Sequence, residues 1–264
     1  MDFEFKSRYD ISDLLKIMKI LRSENGCPWD KVQTHESIRT DLIEETYEVC
    51  EAIDAESPEM LREELGDLLM QVVFHSEIEE ETGRFAFEDV CDGICKKLVY
   101  RHPHVFGEVS VKDADEVLKN WDALKKAEKT QNTYSETLES VPKTLPALLR
   151  GEKVCKRAAR AGLSENDANN CAESIIDDIR QLCCGENSDN HEHNQQLVGK
   201  ILLKFCNLNR ILKIDSEKAL TYSTNRYIMN FSAVENEIIA GGKSLDNISE
   251  EELKLAADKV HNGF

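Results

Sequence analysis

The chain has 264 residues, 41% of them hydrophobic, which is enough for one large domain or two of ordinary size with buried cores. Its 33 basic residues are outnumbered by 51 acidic ones, and the net charge of −18 argues against a nucleic-acid partner, whose phosphates attract basic proteins. Because the nine cysteines show no CxxC spacing and no apolar run approaches the roughly 20 residues that span a bilayer, we expect a cytoplasmic protein with reduced thiols and no membrane contact.

Helical periodicity dominates the sequence, and the alternation of apolar and polar residues that is typical of half-buried strands is absent, so we predict an all-α fold. Gly26 and Gly83 indicate two helix ends. Pro103 indicates a third, because the residue before a proline avoids the helical region. Helix starts are indicated by Pro58 and by a capping pattern at Asp113. The five helices predicted in the first half of the chain span about 11–21, 37–54, 57–83, 88–102 and 113–124.

The polar stretch KTQNTYSETLESVPKTLP divides the chain. It predicts a linker at 131–145 between an N-terminal domain at 1–130 and a C-terminal domain at 146–264. Beyond this stretch the first pattern recurs, since a shift of 133 positions places Leu42 on Ile175 and Gly66 on Gly199. Two tandem helical domains are therefore predicted.

Acidic residues interrupt the apolar sides of the second and third helices. At about 100° per residue, Glu45 falls within the apolar stripe of its helix and Glu48 about 60° to one side, while Glu64 and Asp67 take similar places on the next helix. EExxE alone is typical of a solvated face, but ExxD belongs here to the apolar run LGDLLMQVVF. Four converging carboxylates need a cation or protons, and oxygen ligands at this spacing favour Mg²⁺ or Mn²⁺ over zinc.

Five stretches of the first half carry a recognisable combination of motifs: GCPWDKVQTHESIR, EETYE, EELGD, DGICKKLVYRHPHVFGE and NWDALKKAEK. Together they resemble the MazG family of nucleoside triphosphate pyrophosphohydrolases, and the similarity extends into the second half through LPALLRGEKVCKRAARAGL. The resemblance implies an all-α fold, dimerisation and dependence on Mg²⁺, with Mn²⁺ as a possible substitute. It also implies hydrolysis of a nucleoside triphosphate at the α–β bond to a nucleoside monophosphate and pyrophosphate. The apolar run LLMQVVF covers nearly the whole circumference of its helix, which predicts a homodimer interface with four-helix-bundle packing.

The resemblance also implies roles for individual residues. The metal ligands would be Glu45, Glu48, Glu64 and Asp67, in agreement with the helical spacing, and catalytic help for the attacking water would come from Glu44 and Glu48. The substrate-binding candidates are Trp29, Lys97, Arg101, Trp121 and Lys125.

Several of these assignments have a plain structural alternative. Lys97 and Arg101 lie four apart and could clamp an anion or simply be solvated. Trp29, in a proline-containing loop, could stack on a base, whereas the spacing of Trp121 favours packing. His102 and His104 could face the site or serve only as loop residues.

The second copy lacks most of the acidic pattern. At the same shift, the four ligand positions become Asp178, Gln181, Leu197 and Lys200, and the basic pair becomes Arg226 and Asn230 after a four-residue deletion. Lys200 could pair with Asp178 in place of a metal, or be an ordinary surface lysine. The stretch CCGENSDNHEHNQQ predicts a solvated loop, with metal binding by its histidines His191 and His193 as the alternative.

We therefore expect an enzyme with its active site in the first copy, and a second copy that serves dimer packing or regulation. Two other classes remain open on the sequence alone. One is a catalytically silent nucleotide-binding regulator, and the other is a helical dimeric scaffold.

Overall fold

The computed structural model describes residues 3–113, 116–117, 120–121, 124–125, 133–184 and 190–261. Within these ranges the chain forms eleven α-helices and two short 3-10 turns without any β-strand, which confirms the all-α prediction. Each helix of the described part is too short or too polar to cross a lipid bilayer. The chain divides into two compact units, Met1–Leu124 and Lys125–Phe264, which are described separately.

The first unit is built around a hairpin of two long helices. Its elements are α1 (Ile11–Arg22), a 3-10 turn (Asp30–Val32), α2 (Arg39–Asp54), α3 (Pro58–Glu81), α4 (Phe87–Arg101) and the single turn α5 (Pro103–Phe106). The predicted fifth helix lies only partly within the described residues. At its start the Asp113 carboxylate accepts a hydrogen bond of 2.9 Å from the amide of Glu116, as the capping pattern predicts.

The helix boundaries follow from local chemistry. Ser57 caps α3 by accepting a hydrogen bond from the amide of Met60, and Pro58 occupies the first helical position, where its missing N–H costs nothing. Gly83 follows the helix with a φ of 70°, a conformation that suits glycine. The predicted span of α1, about 11–21, ends one residue early, because the helix ends at Arg22 with Ser23 as its C-cap, and Gly26 follows three residues after that cap.

Helix α3 passes through the core of the first unit. Val73, Phe74 and Ile78 pack with Met18 of α1 and with Ile38 at the start of α2. Burial of five such side chains is the main stabilising contribution, since each buried aliphatic or aromatic side chain contributes about 1.5–3 kcal/mol. The N-terminal half of α3, which carries Glu64 and Asp67, lies before this core and is more exposed.

The second unit repeats the same plan. Its elements are α6 (Tyr134–Glu139), α7 (Ala147–Arg160), α8 (Ala168–Cys184), α9 (His191–Leu212), α10 (Ser216–Ala240), a 3-10 turn (Leu245–Asn247) and α11 (Glu250–His261). Cys171 and Ile175 of α8 pack on Leu197 and Ile201 of α9 in its core.

The linker at 131–145 stays a prediction, and it contains α6, because Thr133 and Glu136 form a capping box that starts a helix. The prediction of a loop around the histidines is wrong. His191 and His193 do not lie in a loop but in the first turn of α9, because Asn190 caps that helix through the amide of His193.

The structure supports the register of the internal repeat. A shift of 133 positions carries the N-cap Ser57 of α3 onto Asn190, the N-cap of α9. It likewise carries Ile38 onto Cys171, and both side chains are buried in the core of their own unit. Helix α3 and its counterpart α9 therefore start at the same position of the repeat.

Candidate metal and nucleotide site

The α2–α3 hairpin places four acidic residues across from one another. Glu48 is six residues before the end of α2 and Glu64 six residues after the start of α3, while Glu45 and Asp67 are each nine residues from those ends. Because the two helices are joined by a three-residue turn and pack closely, residues equally far from the turn face each other. The pairs Glu48 with Glu64 and Glu45 with Asp67 therefore lie in neighbouring layers.

Three of these side chains meet closely. One carboxylate oxygen each from Glu45, Glu48 and Glu64 lies within 4.8 Å of the other two. Glu45 and Glu64 are half-buried, whereas Glu48 is exposed at the rim. Asp67 is half-buried in the adjoining layer, and its charge acts on both Glu45 and Glu64.

The crowding of these carboxylates changes their acidity. Burial, and then the negative charges of Asp67, Glu48 and Glu64, raise the pKa of Glu45 above its ordinary value. Burial, together with the charges of Glu48 and Asp67 among others, likewise raises the pKa of Glu64. The cluster is thus electrostatically unfavourable by itself and would be relieved by a cation.

The donor set fits a hard divalent ion. It consists of carboxylate oxygens only, close enough together to share one ion and partly open to solvent through Glu48. Mg²⁺ and Mn²⁺ prefer such oxygen ligands and usually keep several waters, whereas structural zinc sites use cysteine and histidine in a closed tetrahedron.

Three other predicted site residues, on α2, on α4 and before the 3-10 turn, are exposed. Glu44 precedes Glu45 on α2, and the rotation of about 100° between neighbouring helical residues directs it away from the cluster. Lys97 is exposed on α4, a helix that packs against α3. The Trp29 side chain is 57% exposed just before the 3-10 turn, so its ring is accessible for stacking.

A second cluster forms where α4 ends. Arg101 is only 8% exposed, and its guanidinium lies 5.5 Å from the ring centroid of Trp121. His102 contacts the same indole edge-on, with ring centroids 4.8 Å apart, and His104 lies 5.6 Å from His102. This arrangement agrees with the packing alternative for Trp121. Lys125 is half-buried at the start of the second unit.

The sequence interpretation missed a chain of polar side chains at the far end of the hairpin. His35 contacts both His75 and Glu79 on α3, and Arg84 pairs with the same Glu79 carboxylate. The signal available in the sequence was a polar residue at every fourth position in the second half of the helix, namely Gln71, His75 and Glu79.

In the second unit, lysines stand near the positions of the missing ligands. Lys200, at the Asp67 position, donates a hydrogen bond of 2.9 Å to Asp178, at the Glu45 position, which is one of the two alternatives considered for this lysine. Lys204, at the Gln71 position, lies 2.5 Å from the other oxygen of Asp178. Leu197, at the Glu64 position, has become part of the core. The remaining carboxylate is thus neutralised by ammonium groups.

The two lysines differ in their exposure. The Lys204 side chain is 24% exposed and also donates to Ser174, whereas the Lys200 side chain is 56% exposed. Burial alone would raise the pKa of Asp178, but the hydrogen bonds from Lys204 and Lys200 outweigh it and lower that pKa below 3.8. The contribution of the pair to stability is therefore complete above pH 3.8 and is lost as the pH falls further.

We expect Lys204→Ala to lower the free energy of unfolding at pH 7 by roughly 1–3 kcal/mol, because it leaves a buried carboxylate short of a donor. Lys200→Ala is the matched control and should cost no more than about 1 kcal/mol, since that ammonium is solvated. Urea unfolding of both variants measures the difference. A larger loss in Lys200→Ala than in Lys204→Ala would show that the exposed lysine carries the interaction instead.

The family model and the similar proteins point to the same protein family. Residues 33–106 match the family described as the MazG nucleotide pyrophosphohydrolase domain. The chain is 37% identical over 260 residues to the nucleoside triphosphate pyrophosphohydrolase of Escherichia coli K12, covering 95% of this chain and 96% of that protein.

Two further relatives differ in length. The nucleoside triphosphate pyrophosphohydrolase/pyrophosphatase MazG of Thermotoga maritima is 37% identical over 251 residues, with 95% of each chain covered. YabN of Bacillus subtilis is 41% identical over 255 residues, which cover 96% of this chain but 51% of YabN. The chain thus spans about half the length of YabN and nearly all of the other two proteins.

Proposed function

Because this chain belongs to the MazG family of nucleotide pyrophosphohydrolases, we propose that it hydrolyses nucleoside triphosphates between the α- and β-phosphates, yielding a nucleoside monophosphate and pyrophosphate. The observation that carries the proposal is the meeting of Glu45, Glu48 and Glu64 within 4.8 Å, with Asp67 in the next layer of the hairpin. Such a cluster is strongly acidic, so a triphosphate can approach it only with a cation between them.

Glu45, Glu48, Glu64 and Asp67 would hold Mg²⁺, and Mn²⁺ could replace it. A bound divalent ion supplies charge neutralisation of the triphosphate, polarisation of the α-phosphoryl group and a lower pKa of a bound water. The exposed rim position of Glu48 suits a carboxylate that accepts a proton from the attacking water. Glu44, the other catalytic candidate, is directed away from the cluster and would help only indirectly.

The remaining candidates would bind the substrate. Lys97 is exposed on the helix that packs beside α3 and would meet the phosphates, with Arg101 held behind it against Trp121. Trp29, with its accessible indole, would stack on the base. Lys125 would add a further cation. The second unit, in which lysines replace ligands, would serve packing or regulation and not turnover.

The experiment that tests this function is product identification. The protein is incubated with each nucleoside triphosphate and Mg²⁺, and the products are separated by chromatography. Nucleoside monophosphate with pyrophosphate is the expected pair. Nucleoside diphosphate with phosphate would place the cut at the β–γ bond, and unchanged substrate would favour a silent nucleotide-binding regulator or a scaffold.

We also propose that the protein is a homodimer in which α2 and α3 of two copies form a four-helix bundle. Leu65 and Leu69 lie one turn apart on α3 and are 48% and 40% exposed, and Ile43 and Tyr47 on α2 are exposed as well. Such an uncovered apolar face is typical of an interface.

The dimer proposal predicts that light scattering at micromolar concentration gives twice the chain mass, and that Leu69→Glu shifts the protein to the monomer because it places a charge in the apolar interface. Leu163→Glu, at an exposed leucine of the second unit, is the control and should leave the dimer intact. A monomeric wild type with full activity would refute the dimer.

A further inference from the structure

The polar chain at the end of the α2–α3 hairpin has well-defined contacts. The Nδ1 atoms of His35 and His75 are 2.7 Å apart, and Nε2 of His35 lies 2.5 Å from a carboxylate oxygen of Glu79. Arg84 donates to both Glu79 oxygens, at 2.5 and 2.9 Å. The remaining nitrogen of His75, Nε2, is buried without a hydrogen-bond partner in the described structure.

These contacts determine where the protons are. Burial would raise the pKa of Glu79, but hydrogen bonds from His35 and Arg84 outweigh it and lower that pKa, so the group is a carboxylate at neutral pH. His35 must therefore carry its proton on Nε2, facing Glu79. Its Nδ1 is then an acceptor, and the proton between the two rings belongs to Nδ1 of His75. Nε2 of His75 is left as a buried lone pair, which is less costly than a buried N–H without a partner.

The location of this chain gives it a structural task. The hairpin is closed at one end by the turn between Asp54 and Pro58. At its other, free end Ile38 packs on Val73, Phe74 and Ile78, but apolar contacts of this kind are non-directional. His35 lies four residues before α2 begins, and His75 and Glu79 lie in the second half of α3, so their hydrogen bonds add directional contacts at this free end. The carboxylates of the candidate metal site lie between the two closures.

We propose that His35 and His75, held by Glu79, are positioning residues for the metal site: by closing the free end of the hairpin they set the separation between the carboxylates of α2 and those of α3. This inference rests on the proposed metal-dependent function. The link does not touch the metal ligands, since His75 is eight residues, or about 12 Å of helix, beyond Asp67. It acts through the angle between the two helices.

The charges around the pair act in both directions. The carboxylates of Glu79 and Glu36 favour protonation of the pair and Arg84 opposes it, while the α1 cations Lys19 and Arg22 are paired with Glu80 and Glu81. If the pair takes up one proton, the link is kept, because His35 can then donate through Nε2 to Glu79 and through Nδ1 to His75. If the pair takes up a second proton, both Nδ1 atoms carry a hydrogen and the link is broken.

The stability of the link depends on pH in a defined direction. Burial, and then the charge of His35, lower the pKa of His75 below 6.5. Below pH 6.5 the unfolded chain therefore binds more protons at His75 than the folded chain does. The contribution of His75 to stability is complete above pH 6.5 and declines as the pH falls. Tests of the positioning role belong at pH 8, above the range in which the contribution of His75 declines.

The test compares two substitutions of one residue by Mn²⁺ titration, followed by electron paramagnetic resonance. His75→Phe keeps the ring but removes the donor, and we expect its Kd for Mn²⁺ to rise about fivefold, as the loss of one net hydrogen bond implies. His75→Asn places an amide N–H near the position of Nδ1, so its Kd should stay within about twofold of the wild type. Arg22, which joins Glu81 to the carbonyl groups of Asp30 and Gln33, still holds the loop in both variants.

Nitrogen NMR of the wild type provides a second readout that needs no variant and no turnover. At pH 8 we expect His75 to carry its proton on Nδ1 and His35 on Nε2. Protonation of His75 on Nε2, an unchanged Mn²⁺ affinity in His75→Phe, an equal loss in His75→Asn, or no Mn²⁺ binding by the wild type would each overturn the inference. Mn²⁺ binding as described without nucleotide hydrolysis would instead refute the proposed function and leave the positioning role intact.

Discussion

Asp67→Asn is expected to reduce the turnover of nucleoside triphosphates by at least about 100-fold. This loss is larger than the loss expected when a residue that only hydrogen-bonds to a metal ligand is removed. The substitution preserves size and removes one negative charge from the cluster around Glu45 and Glu64. Turnover is measured by pyrophosphate release at saturating Mg²⁺ and substrate. A wild-type kcat in Asp67→Asn would show that this carboxylate is not part of the active site.

The same variant should fold well. Because the charge of Asp67 contributes to the raised pKa of Glu45, its removal relieves repulsion in the metal-free protein. We therefore expect an equal or higher melting temperature in EDTA, together with the loss of activity. Glu59→Gln removes a carboxylate from the exposed first turn of the same helix and should leave both properties unchanged.

Chelation should have the second large effect. Removal of divalent ions by EDTA is expected to abolish turnover, because the carboxylates alone repel a triphosphate, and excess Mg²⁺ should restore it. In the absence of nucleotide, Mg²⁺ at about 100 times its Kd should stabilise the fold by about 2.7 kcal/mol, seen as a higher melting temperature.

Asp67→Asn is also the control for chelation, since it should lose most of the Mg²⁺-induced rise in melting temperature. Full hydrolysis in EDTA would refute the metal-dependent mechanism. A rise of the same size in the variant would show that Mg²⁺ stabilises the protein from another site.

The features that were predictable from sequence are those set by local spacing. The helices of the first unit and the meeting of Glu45, Glu48 and Glu64 follow from 3.6-residue periodicity and a short turn, which together fix what faces what in a hairpin. The pairing of Lys200 with Asp178 could be predicted because the repeat supplies the geometry of the first copy. The catalytic and binding roles of these residues stay predictions.

The features that were missed depend on contacts between distant residues. His35 and His75 are 40 positions apart, and the spacing of Gln71, His75 and Glu79 indicates a polar side of α3 but not which residue it contacts. Lys204 was missed because its counterpart Gln71 is not acidic and so was not among the aligned ligands. The start of α9 was mistaken for a loop because its first turn is polar, although the repeat aligned the capping residue Asn190 with Ser57.

The placement of catalysis in the first unit is tested most directly by pyrophosphate release from two equivalent substitutions measured side by side, Asp67→Asn and Lys200→Ala. Both change the same position of the repeat, one in the acidic cluster and one in the lysine-filled copy. We expect Asp67→Asn to lose activity and Lys200→Ala to retain it at close to the wild-type rate. Activity kept in Asp67→Asn and lost in Lys200→Ala would contradict this placement and locate the active site in the second unit.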